Sequence, residues 1–142
     1  MKILPLSGAH LAEILPIAEK SFNPLWKEKE FLYFLEHACG FCHGLFDEHG
    51  KLAAYFLGLL VRGELDIVSI ATGPSMRRKG YGEALLSWVL AQPKVEKAFL
   101  EVAVDNEAAV KLYEKIGFEH SGLRKKYYQA KRDAFLMRWK RV

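Results

Sequence analysis

Leu65-Asp66-Ile67-Val68-Ser69-Ile70-Ala71 runs through Gly73-Pro74 into Arg77-Arg78-Lys79-Gly80-Tyr81-Gly82, and from there into Glu83-Ala84-Leu85-Leu86-Ser87-Trp88-Val89-Leu90-Ala91. The first piece is an apolar run of strand type, the last is helix-like, and the turn between them is basic and carries two glycines. The first N–H groups of a helix have no internal partner and carry the positive end of its dipole. Strand, glycine turn and helix together therefore build an anion site. Gly80 and Gly82 let the backbone come close to a phosphate. A Walker loop is excluded by spelling, because it closes on Lys and then Ser or Thr, whereas Gly82 is followed by Glu83.

At 142 residues with 51% hydrophobic content, residues 1–142 are read as one domain with a real core and no linker. Behind Lys2 come Pro5, Gly8 and His10 rather than a long apolar run, so no signal peptide is expected. No window offers the ~20 apolar residues of a membrane span. The expectation is a cytoplasmic protein without membrane contact. Net charge is +4, unevenly placed: from Arg124 to Val142 eight Lys or Arg face Asp133 alone, which puts +7 in that tail and −3 in residues 1–123. Such an end attracts nucleic acid or an acidic polypeptide at long range. A solvated strand face explains it as well. In residues 134–140, Phe135, Met137 and Trp139 alternate with Leu136, Arg138 and Lys140, the period of a half-buried strand.

Cys39-Gly40-Phe41-Cys42-His43 has the spelling of covalent haem attachment, and its first four residues that of a redox dithiol. Haem attachment belongs to exported proteins, and nothing here exports the chain. A redox dithiol sits where a strand enters a helix, whereas here a helix pattern leads into a strand pattern. Zinc wants a second paired half, and His37 and His49 are near without supplying another C-x-x-C. Two small buried thiols at a strand start are the preferred reading, with no metal site.

In chain order, residues 2–6 read as a strand, and Ser7 as a cap for a helix through Leu11, Ile14, Leu15 and Ala18 that Pro16 should kink or divide. A loop at Asn23-Pro24 precedes a second helix, 28–37, with Phe31, Leu32, Phe34 and Leu35 on its apolar face. Strands follow at 41–46, 52–61 and 65–72, punctuated by turns at 47–50 and 62–64. Beyond the glycine turn and its helix, 95–104 reads as a strand and 107–116 as a helix, with Asn106 as N-cap and Gly117 as its stop. Strands at about 118–128 and 134–140 complete an α/β domain with a mixed sheet.

The turn's spelling, Arg/Gln-x-x-Gly-x-Gly/Ala, resembles the pyrophosphate loop of the GNAT family of N-acetyltransferases. Farther on, Leu100-Glu101-Val102-Ala103-Val104-Asp105-Asn106-Glu107-Ala108-Ala109-Val110-Lys111-Leu112-Tyr113-Glu114-Lys115-Ile116-Gly117-Phe118 resembles that family's Leu-Glu-Val-x-x-x-Asn-x-x-Ala-x-x-Leu-Tyr-x-x-x-Gly-Phe segment. Within the family, Gly122-Leu123-Arg124-Lys125-Lys126-Tyr127-Tyr128 and Asp133-Ala134-x-x-Met137 resemble the ribosomal-protein-alanine (RimI-like) branch.

The resemblance implies the GNAT fold, about seven strands and about four helices with the fourth and fifth strands splayed apart, and acetyl-CoA in that gap. It implies pyrophosphate on Arg77, Arg78, Lys79, Gly80, Tyr81 and Gly82, the pantetheine arm paired to backbone at Ile70, Ala71 and Thr72, and a further cofactor contact at Asn106. It makes Glu101 the proton acceptor, Tyr113 the proton donor, and Leu25, Trp26, Tyr127 and Tyr128 lining of the acceptor groove. The implied partner is a protein or peptide N-terminus, such as that of a ribosomal protein, and nucleic acid is the disfavoured partner. A lysine or small amine on the same fold, and a non-catalytic CoA- or nucleic-acid-binding module, are the alternatives.

An amine attacking a thioester must be neutral and must shed a proton, while the departing thiolate gains from protonation. Parity puts Glu101 on the strand face of Phe99 and Ala103, an apolar setting that would strengthen a carboxylate as a base. Tyr113 also fits a helical core stripe with Ala109, Leu112 and Ile116. An α-amino group is about a tenth neutral at pH 7, against ~0.04% for lysine, which favours a terminal acceptor. Two departures from the family's spelling bear on that acceptor: Ala103 where many relatives have Arg, and Leu25 between Pro24 and Trp26.

Overall fold

The computed structural model describes residues 1–21, 26–125 and 132–142. Its elements are β1 (Lys2–Pro5), a 3-10 turn (Gly8–His10), α1 (Leu11–Glu19), α2 (Glu28–Leu35), β2 (Gly40–Phe46), β3 (Leu52–Val61) and β4 (Glu64–Thr72). A 3-10 turn (Pro74–Met76), α3 (Tyr81–Leu90), β5 (Lys97–Ala103), α4 (Glu107–Ile116), β6 (Glu119–Arg124) and β7 (Ala134–Lys140) follow. The strands form one mixed sheet in the order β1-β2-β3-β4-β5-β7-β6.

The sheet buries both faces because β3, Leu52-Ala53-Ala54-Tyr55-Phe56-Leu57, is apolar without a break and alternates between two helix layers. On one face Ala54 and Phe56 pack with Leu85, Leu86, Val89 and Leu90 of α3 and Tyr113 of α4. The i, i+1, i+4, i+5 spacing in α3 gives a single buried stripe. On the other face Tyr55 and Leu57 meet Ile14, Ile17 and Ala18 of α1 and Phe31 and Leu35 of α2. Each fully buried side chain of this kind contributes about 1.5–3 kcal/mol relative to its exposed state. No buried member of that second cluster comes from β5, β6 or β7, so among the described residues no helix layer covers this face of that half of the sheet.

Several boundaries differ from the sequence reading. Ser7 caps the 3-10 turn, with His10 Nδ1 accepting from the Ser7 N–H at 3.0 Å, and the helix proper starts at Leu11. Pro16 does not divide α1, which runs through it to Glu19. The missing N–H removes one internal bond, which burial of Ile14, Ile17 and Ala18 outweighs. Helix α2 stops at Leu35 rather than residue 37, and α3 starts at Tyr81 rather than residue 83. The last strand pair is described only as β6 to Arg124 and β7 from Ala134.

The site is created by how β4 and β5 meet. They pair in parallel only at Glu64 with Lys97, Leu65 with Ala98 and Asp66 with Phe99. Beyond Asp66 the two strands have no further registered pair, and β4 continues to Thr72 on the strength of its antiparallel ladder with β3. That ladder itself shifts register between Leu57, opposite Ser69, and Gly58, opposite Ile67, which leaves Val68 with no counterpart. A bulge of this sort bends the strand and strengthens its local twist.

Part of the basic tail turns out to be structural. Arg141 donates from Nε and Nη2 to the carbonyls of Leu90, Gln92 and Val95 at 2.8 to 3.1 Å, closing the C-terminal end of α3. Removing a cation from orphan helix carbonyls costs about 1–2 kcal/mol at a partly exposed site. Arg141→Ala should lower the melting temperature by several degrees in a thermal unfolding scan while leaving amide exchange at the glycine turn unchanged, because α3 is loosened at the end away from that turn.

Candidate active site

Where β4 leaves β5, a cavity of about 640 Å³ opens between the end of β4 and the N-terminal turns of α3 and α4. Its walls include Ile70, Ala71 and Thr72 of β4, the turn residues Arg77, Arg78, Gly80, Tyr81 and Gly82, and Asn106, Ala109 and Tyr113 from α4 and its cap. An inner cavity of about 80 Å³ continues between the parted strands, shares Ile70, Asn106 and Tyr113 with the first, and adds Glu101 and Ser69.

The turn has the geometry an anion needs. Gly80 is the N-cap of α3 at φ +78°, a left-handed conformation that only glycine takes without strain. The first intrahelical bond runs from Ala84 N–H to the Gly80 carbonyl at 2.9 Å. The N–H groups of Tyr81, Gly82 and Glu83 thus precede the internal ladder, at the positive end of the dipole. Gly82 sits against β4 so closely that a Cβ there would meet Thr72 Oγ1 at 3.1 Å. Arg78 also takes positive φ, +65°. The arginines differ in role. The Arg77 guanidinium is turned inward, donating from Nε to the Thr72 carbonyl at 3.3 Å and from Nη2 to the Lys20 carbonyl. It ties the end of α1 to the turn. Lys79 is exposed and is not among the wall residues of the cavity.

Tyr113 faces the other way, into both cavities, yet is only 7% exposed. Burial pushes its phenol up to about 12, so it holds its proton throughout the neutral range. It is placed by the α4 stripe that also packs Ala109, Val110 and Ile116 on the core, its ring 5.7 Å from Phe118. Asn106 caps α4 through Oδ1, which accepts from the Ala109 N–H at 3.4 Å.

Glu101 corrects one expectation. Its strand-mates Leu100 and Val102 are buried under α3 and α4, whereas Glu101 lies on the open face of β5 with its side chain 47% exposed. It is not in an apolar setting. Its Oε1 accepts from Arg124 Nε at 2.5 Å. The helices α1 and α2 cover only the β2–β4 half of the sheet, so parity alone could not tell an open face from a covered one.

The expected acceptor residues are not all brought to the cleft. Leu25, Tyr127 and Tyr128 lie outside the described residues. Trp26 stacks on Phe34 at 5.1 Å and tilts against Phe31 at 5.1 Å, with Leu15, Ala18 and Glu19 around it, rather than lining the cleft. Sequence reading missed Lys20, Ser21 and Met76, which line the cleft from the end of α1 and the turn after β4. Only the tertiary docking of α1 brings the first two there, and no local signal announces it.

Cys42 and Cys39 are free thiols, the first buried and the second half-buried. Burial pushes the Cys42 thiol up, and its Sγ donates to the Phe34 carbonyl at 3.5 Å. Among the described residues no group of three or more His, Cys, Asp or Glu is arranged to hold a metal. Among them, too, no helix is long and apolar enough to cross a membrane.

A splayed mixed sheet, a glycine-capped helix at the gap and a tyrosine from the next helix define an acyl-CoA transferase fold. The model of the acetyltransferase (GNAT) family matches residues 11–118, and the chain belongs to that family. It is 34% identical over 96 residues to ribosomal protein bS18-alanine N-acetyltransferase of Escherichia coli K12, an overlap of 63% of this chain and 65% of that enzyme. The match thus spans somewhat under two thirds of the enzyme's length. To the Salmonella typhimurium protein of the same description it is 29% identical over 138 residues, 93% of this chain and 92% of the relative. The crystal structure of the Escherichia coli ribosomal-protein-S18-alanine N-acetyltransferase superposes with a TM-score of 0.89 at 29% identity, covering 98% of this chain and 92% of that one. The expected family and fold are borne out, including the gap between the fourth and fifth strands.

The close approach of Gly82 to Thr72 yields a direct check. Gly82→Val should lower acetyl-CoA affinity at least tenfold in a calorimetric titration, because the added methyls occupy the space between α3 and the end of β4. The melting temperature should move by no more than a few degrees.

Proposed function

We propose that this protein transfers the acetyl group of acetyl-CoA to the N-terminal α-amino group of a protein, of the ribosomal-protein class on which its relatives are named as acting. The observation that carries this reading is the meeting of a buried, protonated tyrosine and an open-faced carboxylate at one gap in the sheet. The N-terminal turns of α3 and α4 flank the same gap.

Acetyl-CoA supplies an activated acyl carbon and a thiolate leaving group. Its diphosphate suits the turn, where Arg78 and the first residues of α3, Tyr81, Gly82 and Glu83, line the cavity. Its pantetheine amides suit the edge of β4 that faces away from β3 at Ile70 and Ala71, next to Thr72, whose carbonyl already accepts from Arg77. Asn106 stands where the two cavities join and contributes a polar contact there.

The acceptor's neutral amine attacks the acyl carbon. A C–N bond forms, the C–S bond breaks, and the amine loses a proton to Glu101, directly or through water. The proton that the departing sulfur takes up comes from the Tyr113 hydroxyl. Burial keeps Tyr113 protonated, which a donor requires. A half-exposed carboxylate is a modest base, and a terminal amine, with about a tenth of its population neutral at pH 7, needs no stronger one.

Three measurements test this. With acetyl-CoA and a peptide carrying both a free Ala terminus and an internal lysine, mass spectrometry should place the acetyl group on the terminus. Blocking the terminus should abolish turnover, and turnover that survives the block moves the acceptor to lysine. Glu101→Gln and Tyr113→Phe should each lower kcat roughly 100-fold or more while leaving acetyl-CoA affinity within a factor of about three. Because the Tyr113 phenol is raised to about 12, kcat should show no alkaline decline traceable to it up to about pH 10. A fall near pH 9 that disappears in Tyr113→Phe would contradict its placement as the donor.

A further inference from the structure

Two motifs near the end of the chain, the Gly-x-Arg at residues 122–124 and the Asp-Ala at residues 133–134, have no role in the chemistry above. The sheet register joins them. Arg124 on β6 is paired with Ala134 on β7, and Ala134 is paired with Ala103 on β5. Directly opposed residues share a face, so Arg124, Ala134 and Ala103 lie in one row across the open side of the sheet. Glu101, two residues back along β5, lies on that same side.

From β6 to β5 is a reach of roughly 10 Å, two strand spacings. The Arg124 side chain makes it, with Nε 2.5 Å from Glu101 Oε1, although an entire strand lies between. It crosses β7 diagonally between Ala134 and Leu136, the residue directly opposite Glu101, and a larger side chain at Ala134 would narrow that passage. Glu101 Oε1 accepts this contact, and Glu101 is at the same time a wall residue of the inner cavity. The remaining walls of that cavity are uncharged: Ser21, Ser69, Asn106, Tyr113 and apolar side chains.

We infer that Arg124 is a positioning residue for Glu101: it fixes one oxygen of the carboxylate from two strands away, crossing β7 beside the small side chain of Ala134, and so aims the other at the acceptor amine. This rests on the proposed role of Glu101 as proton acceptor. An arginine suits the task because its guanidinium is charged at every working pH and has a fixed planar geometry, whereas an unrestrained glutamate divides its time among several rotamers.

The test is a double-mutant cycle on the intact chain, using acetyl-CoA and a peptide with a free Ala terminus. Arg124→Ala is expected to lower kcat at least tenfold, with the KM for peptide and the affinity for acetyl-CoA each within about threefold of wild type. In the Glu101→Gln background the same change should lower kcat no further, because the inferred effect of Arg124 on turnover runs through the Glu101 carboxylate. Ala134→Leu, which keeps both polar residues and blocks the path, should reproduce the kcat loss of Arg124→Ala, and Arg124→Lys should recover part of it. Equal losses in both backgrounds, or an Ala134→Leu protein of full activity, would overturn the inference while leaving Glu101 as base. If Glu101→Gln is itself fully active, the proposed base fails instead. The side chain can also be read without turnover. In the acetyl-CoA complex the 13C carboxyl resonance of Glu101 should be a single sharp signal that shifts toward a rotamer-averaged position in Arg124→Ala. An unchanged signal overturns the inference.

Discussion

Among the described residues, one edge of β4 has no strand beside it beyond Asp66, and backbone N–H and C=O groups so close to a core must find partners. Each of the two parted strands is held from its far side: β4 by its ladder to β3, and β5 along its whole length by β7. The sheet can therefore open without unravelling. The opening is short, polar along its edge and apolar above and below, which suits a long amide-bearing molecule that can stand in for the missing strand. Everything chemical in the protein is arranged around it. The turn after β4 delivers the N-terminus of α3 to one end, α4 follows β5 and brings Asn106 and Tyr113 to the side, and β5 contributes Glu101.

Charge is used sparingly, and mostly to finish what the backbone leaves open. Arg77 binds the carbonyls of Thr72 and Lys20, so the turn and the end of α1 move as a unit. Arg141 closes α3. Arg124 reaches a carboxylate two strands away. A surplus of positive charge toward the end of the chain would, on composition alone, suggest a polyanion. At two of those positions, Arg124 and Arg141, the charge has a structural address within the protein. The exposed Arg138 and Lys140 follow the alternation of a half-buried strand.

Much of this was readable from the residues. Regular periods gave β3, α4 and β7 with their observed limits, and the resemblance at residues 77–82 and 100–118 pointed to the family and to the gap. What could not be read depended on which surfaces are covered. Parity placed Glu101 with Phe99 and Ala103 correctly, but only the docking of α1 and α2 over the other half of the sheet decides that this face is open. Trp26 is expected in the acceptor groove from the resemblance alone, and its contacts with Phe31 and Phe34, one and two turns into α2, are set by packing that the sequence does not announce. Lys20 and Ser21 reach the cleft through long-range packing that leaves no mark in a window of sequence. Pro16 is the converse case, a strong local signal overruled by burial of the helix around it.

If the free edge of β4 is the seat of the cofactor, its amides should report it. Amide hydrogen exchange, followed residue by residue with and without saturating acetyl-CoA, should show residues within 67–72 that exchange readily in the free protein and become strongly protected in the complex. Tyr81, Gly82 and Glu83 at the start of α3 should be protected with them. Binding of acetyl-CoA with no change in the exchange of residues 67–72, and protection appearing elsewhere on the sheet, would contradict the view that the parted strand is completed by its ligand.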